Sequence, residues 1–251
     1  MNRLPASFLT RPIAHRGFHD VAAGVPENSI AAFEAAIEAG YGIELDVQRS
    51  LDDAAMVFHD YNLDRLTAEA GPIADRTTEA LRAIPLIGGT GTVPTLIQVL
   101  DYVAGRVPLL IEIKDQDGGL GPDIGPLEYA VAEALRNYTG DAAVMSFNPH
   151  SIAKMADFLP DMPRGLVTCD FDKDEWDTVP PATLDRLRDI PDFDAAGSSF
   201  ISHDRADLTR RRVQELMAQG ANILCWTVRD AGQETEARKI AQNITFEGYT
   251  P

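Results

Sequence analysis

The sequence contains little cysteine, little positive charge and no long apolar run. Its two cysteines, Cys169 and Cys225, are too few for a disulfide framework and lack the spacing of a zinc site, so we expect both to be reduced bystanders. No window approaches the roughly 18 consecutive apolar residues of a membrane span, and residues 1–10 lack the features of a signal peptide. We therefore expect a cytoplasmic protein without stable membrane insertion.

Basic residues are scarce relative to acidic ones. Lys and Arg total 22 against 39 for Asp and Glu, which gives a net charge of -17. Such a field repels polyanions, so we expect no nucleic-acid partner and no anionic lipid surface. A ligand that carries phosphate would need local cations or a metal ion to reverse the potential in its site. The alternative is that the acidic excess merely keeps the protein soluble.

The chain length and the distribution of apolar segments predict an α/β barrel. A length of 251 residues favours a single domain over residues 1–251. Short apolar runs alternate with segments of helical spacing, which is typical of repeated βα units. The runs cover residues 12–15, 42–47, 109–113, 142–146, 164–168, 198–202, 222–228 and 243–246. Eight parallel strands of this kind predict a closed (β/α)8 TIM barrel.

Two parts of the chain depart from a regular barrel. Residues 48–94, between the second and third of these strands, form a long insertion with a short strand at 56–58, a helix at 78–84 and a Gly-rich segment at 88–91. A loop of this length in a compact domain is usually functional. Only residues 247–251 follow the eighth run, so we expect the final helix to be absent. The N-terminal segment or a partner would then cover the last seam.

Two acidic residues lie on the second predicted strand. Glu44 and Asp46 are separated by one residue, so both carboxylates project from the same face, while Leu45 faces the opposite layer. A divalent cation would relieve their repulsion, and oxygen-only ligands favour Mg²⁺ or Ca²⁺. The alternative is a pair of strand-end acids in salt bridges with arginines. We favour the metal, because strand interiors of parallel barrels are apolar and acids there are costly without a partner.

A third acid follows at the next strand end, together with a lysine. Glu112 lies between Ile111 and Ile113, and Lys114 is two residues further on the same face. Glu112 is a candidate third metal ligand, and Lys114 a candidate contact to phosphate or to a leaving group. The alternative is a buried ion pair that merely spans the barrel, although buried pairs contribute little to stability.

Two histidines and an arginine complete the candidate site. His15 and His59 each end an apolar run, where barrel enzymes place catalysis, and suit general acid and base roles at a phosphodiester. Arg16 offers a planar fork that matches phosphate oxygens. The remaining histidines receive no role. His19 and His203 are expected in loops, and His150 is expected at a helix start.

These motifs occur in an order that resembles a known family over nearly the whole chain. The series is His15-Arg16-Gly17, Pro26-Glu27-Asn28-Ser29, Glu44-Leu45-Asp46, His59-Asp60, Leu63-Asp64-Arg65-Leu66-Thr67, Pro94-Thr95-Leu96, Ile111-Glu112-Ile113-Lys114, Ser146-Phe147 and Trp226-Thr227-Val228. It resembles the glycerophosphodiester phosphodiesterase family. The resemblance implies a TIM barrel with a small insertion after its second strand. At the C-terminal end, residues 245–251 depart from the family's usual Thr-Asp-x-Pro turn and final helix.

The resemblance also implies roles for individual residues. Glu44, Asp46 and Glu112 would hold one divalent metal ion, and His15 and His59 would be the acid and base pair. Arg16 and Lys114 would contact phosphate, and Glu27 matches a family position near the metal. Phe147 and Trp226 would line the apolar side of a glycerol pocket, or else be ordinary core aromatics.

The implied activity is metal-dependent hydrolysis of a small-molecule glycerophosphodiester, such as glycerophosphocholine or glycerophosphoethanolamine, to glycerol 3-phosphate and an alcohol. The substrate's 2-hydroxyl would attack phosphorus, one histidine would take its proton, and the other would protonate the departing alcohol. Water would then open the cyclic phosphate. Two alternatives stay open: a phospholipase D-like hydrolase of lysophospholipid or sphingomyelin, and a non-catalytic barrel that binds a phosphate metabolite.

Overall fold

Eight parallel strands close into a barrel in the computed structural model, which describes residues 3–251. Of the predicted segment 1–10, residues 1 and 2 lie outside this range. The strands are β1 (Ile13–Ala14), β2 (Gly42–Arg49), β3 (Ala55–Val57), β4 (Leu109–Ile113), β5 (Ala142–Ser146), β6 (Arg164–Thr168), β7 (Phe200–Asp204), β8 (Asn222–Val228) and β9 (Asn243–Phe246). All pair in parallel except β3, which runs antiparallel to β2, and the sheet closes because β1 pairs with both β2 and β9. The predicted TIM barrel is confirmed.

Helices follow most strands and lie outside the barrel. They are α1 (Ser7–Thr10), α2 (Ile30–Ala39), α3 (Thr78–Arg82), α4 (Leu96–Val103), α5 (Pro126–Leu135), α6 (Pro149–Phe158), α7 (Pro181–Leu187), α8 (Arg211–Ala218) and α9 (Ala231–Ala237). Helix α2 begins and ends at typical capping residues: Ser29 Oγ accepts from the Ala32 amide, and Gly40 ends the helix at φ +77°. Within residues 3–251, no helix combines the length and apolar character that crossing a membrane requires.

Side chains of the strands alternate between the barrel interior and the layer beneath the helices. Ile43, Leu45 and Val47 pack in the outer layer with the helices, whereas Leu110 packs inside the barrel. The short helix α1 contributes Phe8, which is fully buried in the same interior cluster as Leu110. Apolar side chains therefore fill the lower part of the barrel, and the polar side chains of β2 and β4 come at its C-terminal end.

An aromatic cluster covers the outer side of the seam between β1 and β9. Phe18 and Tyr41 have ring centroids 6.0 Å and 4.9 Å from Phe246, and Tyr249 of the C-terminal tail lies 5.7 Å from it on another side. Tyr249 Oη also donates to Glu234 Oε2 of α9 at 3.0 Å. Residues 247–251 form no helix, so loop aromatics and the tail cover the seam here.

The N-terminal segment also contributes to closure, as the sequence predicted. Asn243 is buried at the start of β9, and its Nδ2 donates to the carbonyl oxygens of Phe8 at 2.7 Å and Arg11 at 2.6 Å. One amide side chain thus joins the first helix to the last strand of the barrel.

The insertion between β2 and β4 has a small core of its own. Its apolar side chains pack together apart from the main core: Met56, Phe58, Leu63, Leu66, Ile73, Leu81, Ile84, Leu86 and Val93. The predicted strand and helix both occur, as β3 and the short α3. The Gly-rich segment lies in a turn closed by a bridge between Pro85 and Thr92, and Gly89 approaches Pro26 closely.

The cysteines are buried and unpaired, and one histidine differs from its prediction. Burial raises the pKa of Cys169 and of Cys225 to about 12, so both remain neutral thiols near pH 7. His203 was expected in a loop, and this is wrong: it lies in β7 with no exposed surface. Its Nδ1 makes a 2.8 Å hydrogen bond with Thr168 Oγ1, which compensates for burying the imidazole in the strand.

Candidate active site

Three carboxylates meet at the C-terminal end of β2 and β4. Asp46 and Glu112 are direct register partners on these neighbouring strands, and Glu44 lies two residues before Asp46 on the same face. One oxygen from each side chain lies within 4.8 Å of the others, and all three residues are buried. The parallel pairing of β2 and β4 therefore brings together residues that are far apart in the sequence.

The electrostatics of this cluster favour a cation. Burial and the neighbouring charges of Asp46 and Glu112 raise the pKa of Glu44 well above its usual range. Although burial opposes it, Lys114 together with nearby histidines and Arg16 holds the pKa of Asp46 far below its usual range. Lys114 and Arg16, whose Nε lies 3.5 Å from Asp46 Oδ2, do not offset all three acids, because Glu44 keeps a raised pKa.

Lys114 contacts two of the three acids. Its Nζ lies 2.7 Å from Asp46 Oδ1 and 2.6 Å from Glu112 Oε1. Burial acts to lower the pKa of Lys114, but these two carboxylates raise it above its usual range, so the ammonium stays charged. The donor set consists of hard oxygen atoms, and together with the raised pKa of Glu44 it fits a divalent ion such as Mg²⁺ or Ca²⁺.

Asn28 orients one of the acids, a role that sequence reasoning missed. Its Nδ2 donates to Asp46 Oδ2 at 2.9 Å, and the Asp46 amide donates to Asn28 Oδ1 at 3.4 Å. Asn28 adopts a left-handed backbone at φ +53°, a conformation that Asn tolerates better than most residues. Its place in the motif Pro26-Glu27-Asn28-Ser29 is the signal that could have identified it.

Each candidate catalytic histidine is held by a carboxylate through Nδ1. His15 Nδ1 lies 2.5 Å from Glu247 Oε2, and His59 Nδ1 lies 2.6 Å from Asp60 Oδ1. Because an ionised carboxylate only accepts hydrogen bonds, each Nδ1 carries the proton and each Nε2 is left as the proton-transferring atom. Burial lowers the pKa of His15 in spite of the opposing Glu247. His15 is therefore neutral near pH 7 and able to accept a proton.

Glu247 is the second residue that sequence reasoning missed. It directly follows β9, and its Oε1 accepts from Arg229 Nε at 2.7 Å and Nη2 at 2.6 Å while Oε2 faces His15. The hydrogen bond from His15, followed by His19, lowers the pKa of Glu247. An acid next to the last strand end was visible in the sequence, but its partner lies 232 positions away.

A chain of ion pairs connects Arg16 to His59. Arg16 Nη1 donates to Glu27 Oε1 at 2.7 Å, and Arg65 Nη1 and Nη2 each donate to Glu27 at 2.8 Å. Arg65 also donates to both oxygens of Asp60, at 2.6 Å and 3.0 Å. Despite opposing burial, hydrogen bonds from His59 and Arg65 lower the pKa of Asp60. Arg65 belongs to the insertion, so the insertion takes part in forming the site.

Two connected cavities occupy the mouth of the barrel. The inner chamber has a volume of about 180 Å³, and its walls include His15, His59, Arg16 and both Glu44 and Glu112. The outer chamber has a volume of about 480 Å³. Five residues line both: His59, Glu112, Lys114, Phe147 and Trp226. Of the residues given roles from the sequence, all except Asp46 and Glu27 line the inner chamber, and Asp46 contacts Lys114, which does line it.

Phe147 and Trp226 are only half-buried and form part of the chamber wall. Their ring centroids are 5.6 Å apart with planes at 85°, and Trp226 Nε1 donates to the Ser202 carbonyl at 3.0 Å. The pair therefore presents apolar surface to the cavity in addition to packing on the core.

The chain as a whole is similar to known proteins. Residues 15–245 match the model of the glycerophosphoryl diester phosphodiesterase family. The chain is 29% identical to the Bacillus subtilis protein YhdW, over 92% of this chain and 90% of that protein. It is 34% identical to the glycerophosphodiester phosphodiesterase of Caldanaerobacter subterraneus, over 63% of this chain and 66% of that protein.

Solved structures share the fold at lower identity. A phosphodiesterase of Oleispira antarctica, solved in complex with its product sn-glycerol-3-phosphate, superposes with a TM-score of 0.77 at 22% identity, covering 96% of this chain and 94% of that one. A glycerophosphodiester phosphodiesterase of Agrobacterium tumefaciens gives a TM-score of 0.71 at 23% identity, covering 94% and 96%.

Proposed function

The chain belongs to the glycerophosphoryl diester phosphodiesterase family and is a phosphodiesterase of glycerophosphodiesters, and from this premise we propose that it cleaves them by acid and base catalysis with two histidines and one divalent cation. The products are glycerol 3-phosphate and an alcohol. One observation carries the proposal: two histidines, each held by its own carboxylate, line the same small chamber as Glu44 and Glu112 of the acidic cluster.

Glu44, Asp46 and Glu112 are the residues that would hold the metal ion. When bound, a divalent cation would polarise the phosphoryl oxygens and offset negative charge that develops on them. Arg16 and Lys114 add positive charge at the same chamber wall, where they bind and orient the phosphate. Glu27 acts indirectly, because it holds the Arg16 guanidinium.

The two histidines move protons at either side of the phosphorus atom. In our proposal one Nε2 removes the proton of the glycerol 2-hydroxyl while the other protonates the departing alcohol. The hydroxyl attacks within the same molecule and gains a high effective molarity, which makes a protein nucleophile unnecessary. The resulting cyclic phosphate is opened by water, with the histidines in exchanged roles.

Alanine variants of the histidines test this mechanism. We expect His15→Ala and His59→Ala each to lower kcat by at least about a hundredfold, since general acid and base catalysis contributes about 10²–10⁴-fold. Metal binding, measured as the Mg²⁺-dependent rise in Tm, should persist in both. His150→Ala is the control, because His150 is exposed at the start of α6. Unchanged turnover in either active-site variant contradicts the mechanism.

Choline release from two substrates separates the proposal from the phospholipase alternative. We expect release from glycerophosphocholine, and removal of the metal with a chelator should abolish it. Activity on lysophosphatidylcholine alone would instead identify a phospholipase, and specific binding without turnover would identify a non-catalytic barrel.

A further inference from the structure

The outer chamber is larger than the inner one and adjoins the reacting centre. It shares His59, Glu112 and Lys114 with the inner chamber and extends from them over the loops that follow β4 and β6. A substrate whose phosphate lies at these shared residues would place one ester group in each chamber. Glycerol is the constant part of a glycerophosphodiester and fits the small chamber, so the variable alcohol faces the outer one.

Aromatic side chains form the walls of the outer chamber. Phe147 lies 4.9 Å from Trp176 and 5.6 Å from Trp226 between ring centroids, with interplanar angles of 59° and 85°. Tyr61 lines the same cavity and is 48% exposed. Because the planes differ in direction, the rings surround the space from several sides.

Carboxylates outnumber permanent cations among the residues that line the same space, and Arg65 pairs with one of them, Asp60, from outside this set. Asp60, Glu112, Asp115 and Glu175 line it, and among the described lining residues Lys114 is the one side chain with a permanent positive charge. Its ammonium is already held by Asp46 and Glu112. Burial, followed by the nearby charge of Asp115, raises the pKa of Tyr61 to about 12, in keeping with a negative field.

Hydrogen bonds hold the two loops in place around the chamber. Thr178 Oγ1, from the loop after β6, donates to the Gly118 carbonyl of the loop after β4 at 2.9 Å. Asp115 accepts from Asn148 Nδ2 at 2.7 Å and from the Leu120 amide at 3.1 Å. The walls are therefore pre-formed, which reduces the entropy lost on binding.

We propose that the outer chamber binds the departing alcohol and selects one that carries a quaternary ammonium group, as choline does. This proposal rests on the phosphodiesterase function proposed above. A quaternary ammonium ion offers no N–H donor, and aromatic faces attract it through their quadrupoles while nearby carboxylates add long-range attraction. A neutral or anionic alcohol gains neither contribution, so the chamber discriminates by charge as well as by shape.

A pair of product-like inhibitors of equal shape tests the role of charge. Choline and 3,3-dimethylbutan-1-ol differ in one atom, nitrogen against carbon, and hence in one positive charge. We expect choline to inhibit hydrolysis of glycerophosphocholine about tenfold more strongly than the neutral alcohol, in line with cation–π attraction at a desolvated site. Equal inhibition by the two compounds would overturn the proposal.

Variants locate the effect in the outer chamber. In Trp176→Ala we expect kcat/KM for glycerophosphocholine to fall about tenfold and that for glycerophosphoglycerol to change less than about twofold. Trp176→Phe should recover most of the loss. Tyr129→Ala is the control, because this exposed aromatic residue lies on α5 outside the chamber and packs against Phe158.

The outcomes distinguish failure of this inference from failure of the function. Equal losses on both substrates in Trp176→Ala, or no loss on either, would overturn the choline subsite while leaving a working phosphodiesterase. If the unmodified protein hydrolyses neither substrate in the presence of Mg²⁺ or Ca²⁺, the proposed function itself fails, and the inference fails with it.

Discussion

At the scale of single residues, the site depends on side chains that act through their neighbours. Each candidate catalytic histidine has its own carboxylate, Glu247 for His15 and Asp60 for His59. Asn28 does the same for a metal-ligand candidate, since it donates to Asp46. These partners fix tautomers and oxygen directions, so their loss should affect turnover more than folding.

Glu247→Gln tests the positioning of His15. An amide can donate a hydrogen bond to Nδ1, which would stabilise the wrong imidazole tautomer, so we expect kcat to fall about a hundredfold with little change in KM. Steady-state kinetics on glycerophosphocholine measure both constants. Glu236→Gln on α9 is the control, because Glu236 is 70% exposed and pairs only with Lys239 among the contacts described. A change in KM alone would assign Glu247 to substrate binding instead.

At the scale of elements, the insertion between β2 and β4 combines a separate small core with a link to the site. Its apolar residues pack on one another, while Arg65 holds Asp60 within the insertion and extends from it to Glu27. The Gly-rich segment meets the loop that carries Glu27 through the contact between Gly89 and Pro26. The insertion thus carries His59 into the barrel mouth and contacts the loop that carries Glu27 at two further places.

Arg65→Ala tests the first of these links. Loss of the guanidinium frees Asp60 and Glu27, so His59 and Arg16 lose their fixed positions, and we expect kcat to fall about tenfold or more. Arg76→Ala is a matched control within the insertion, since Arg76 is similarly exposed and forms a 3.6 Å ion pair with Glu69. The kcat of each variant, compared with that of the unmodified protein, measures the effect of the link. Equal effects would mean that the insertion acts through general stability.

Gly89→Ala tests the second link. A Cβ at Gly89 would lie 2.5 Å from Pro26 Cδ and 3.0 Å from the Gly24 carbonyl oxygen, so one segment must move. We expect the free energy of unfolding to fall by about 1–3 kcal/mol, as for other overpacked sites, with a parallel loss of activity through Glu27. Gly91→Ala, where no atom lies within 4 Å of the added Cβ, should unfold at nearly the same denaturant concentration as the unmodified protein.

At the scale of the whole molecule, the barrel collects strand ends that are distant in sequence. Periodicity predicted the strands because each apolar run has its own local signal, and β4, β5, β6, β8 and β9 begin and end where expected. Glu44, Asp46 and Glu112 could be grouped because the ends of parallel strands meet. Arg65 and Glu247 could not be placed, since a single charged residue has no periodicity and its partner is set by tertiary packing. Trp176 was not predicted either, because the neighbours of one isolated loop residue are also set by tertiary packing.

Metal binding should be visible in the stability of the whole barrel. If Glu44, Asp46 and Glu112 hold a divalent ion, Mg²⁺ or Ca²⁺ at a hundredfold excess over Kd stabilises the native state by about 2.7 kcal/mol. For a protein of this size that corresponds to a rise in Tm of about 5–10 °C, measurable by calorimetry.

Glu44→Gln separates the metal from other causes of this rise. We expect the variant to lose the metal-dependent increase in Tm and all activity, yet to melt at a higher temperature than the unmodified protein when both are free of metal. The reason is that glutamine can still accept from the Arg16 amide at 2.9 Å but removes repulsion within the buried acidic cluster. Asp157→Asn on α6 is the control, because Asp157 is 69% exposed. A lower metal-free Tm together with a retained response to Mg²⁺ and Ca²⁺ would contradict the assignment. The cation would then bind elsewhere, and Glu44 would stabilise the metal-free barrel.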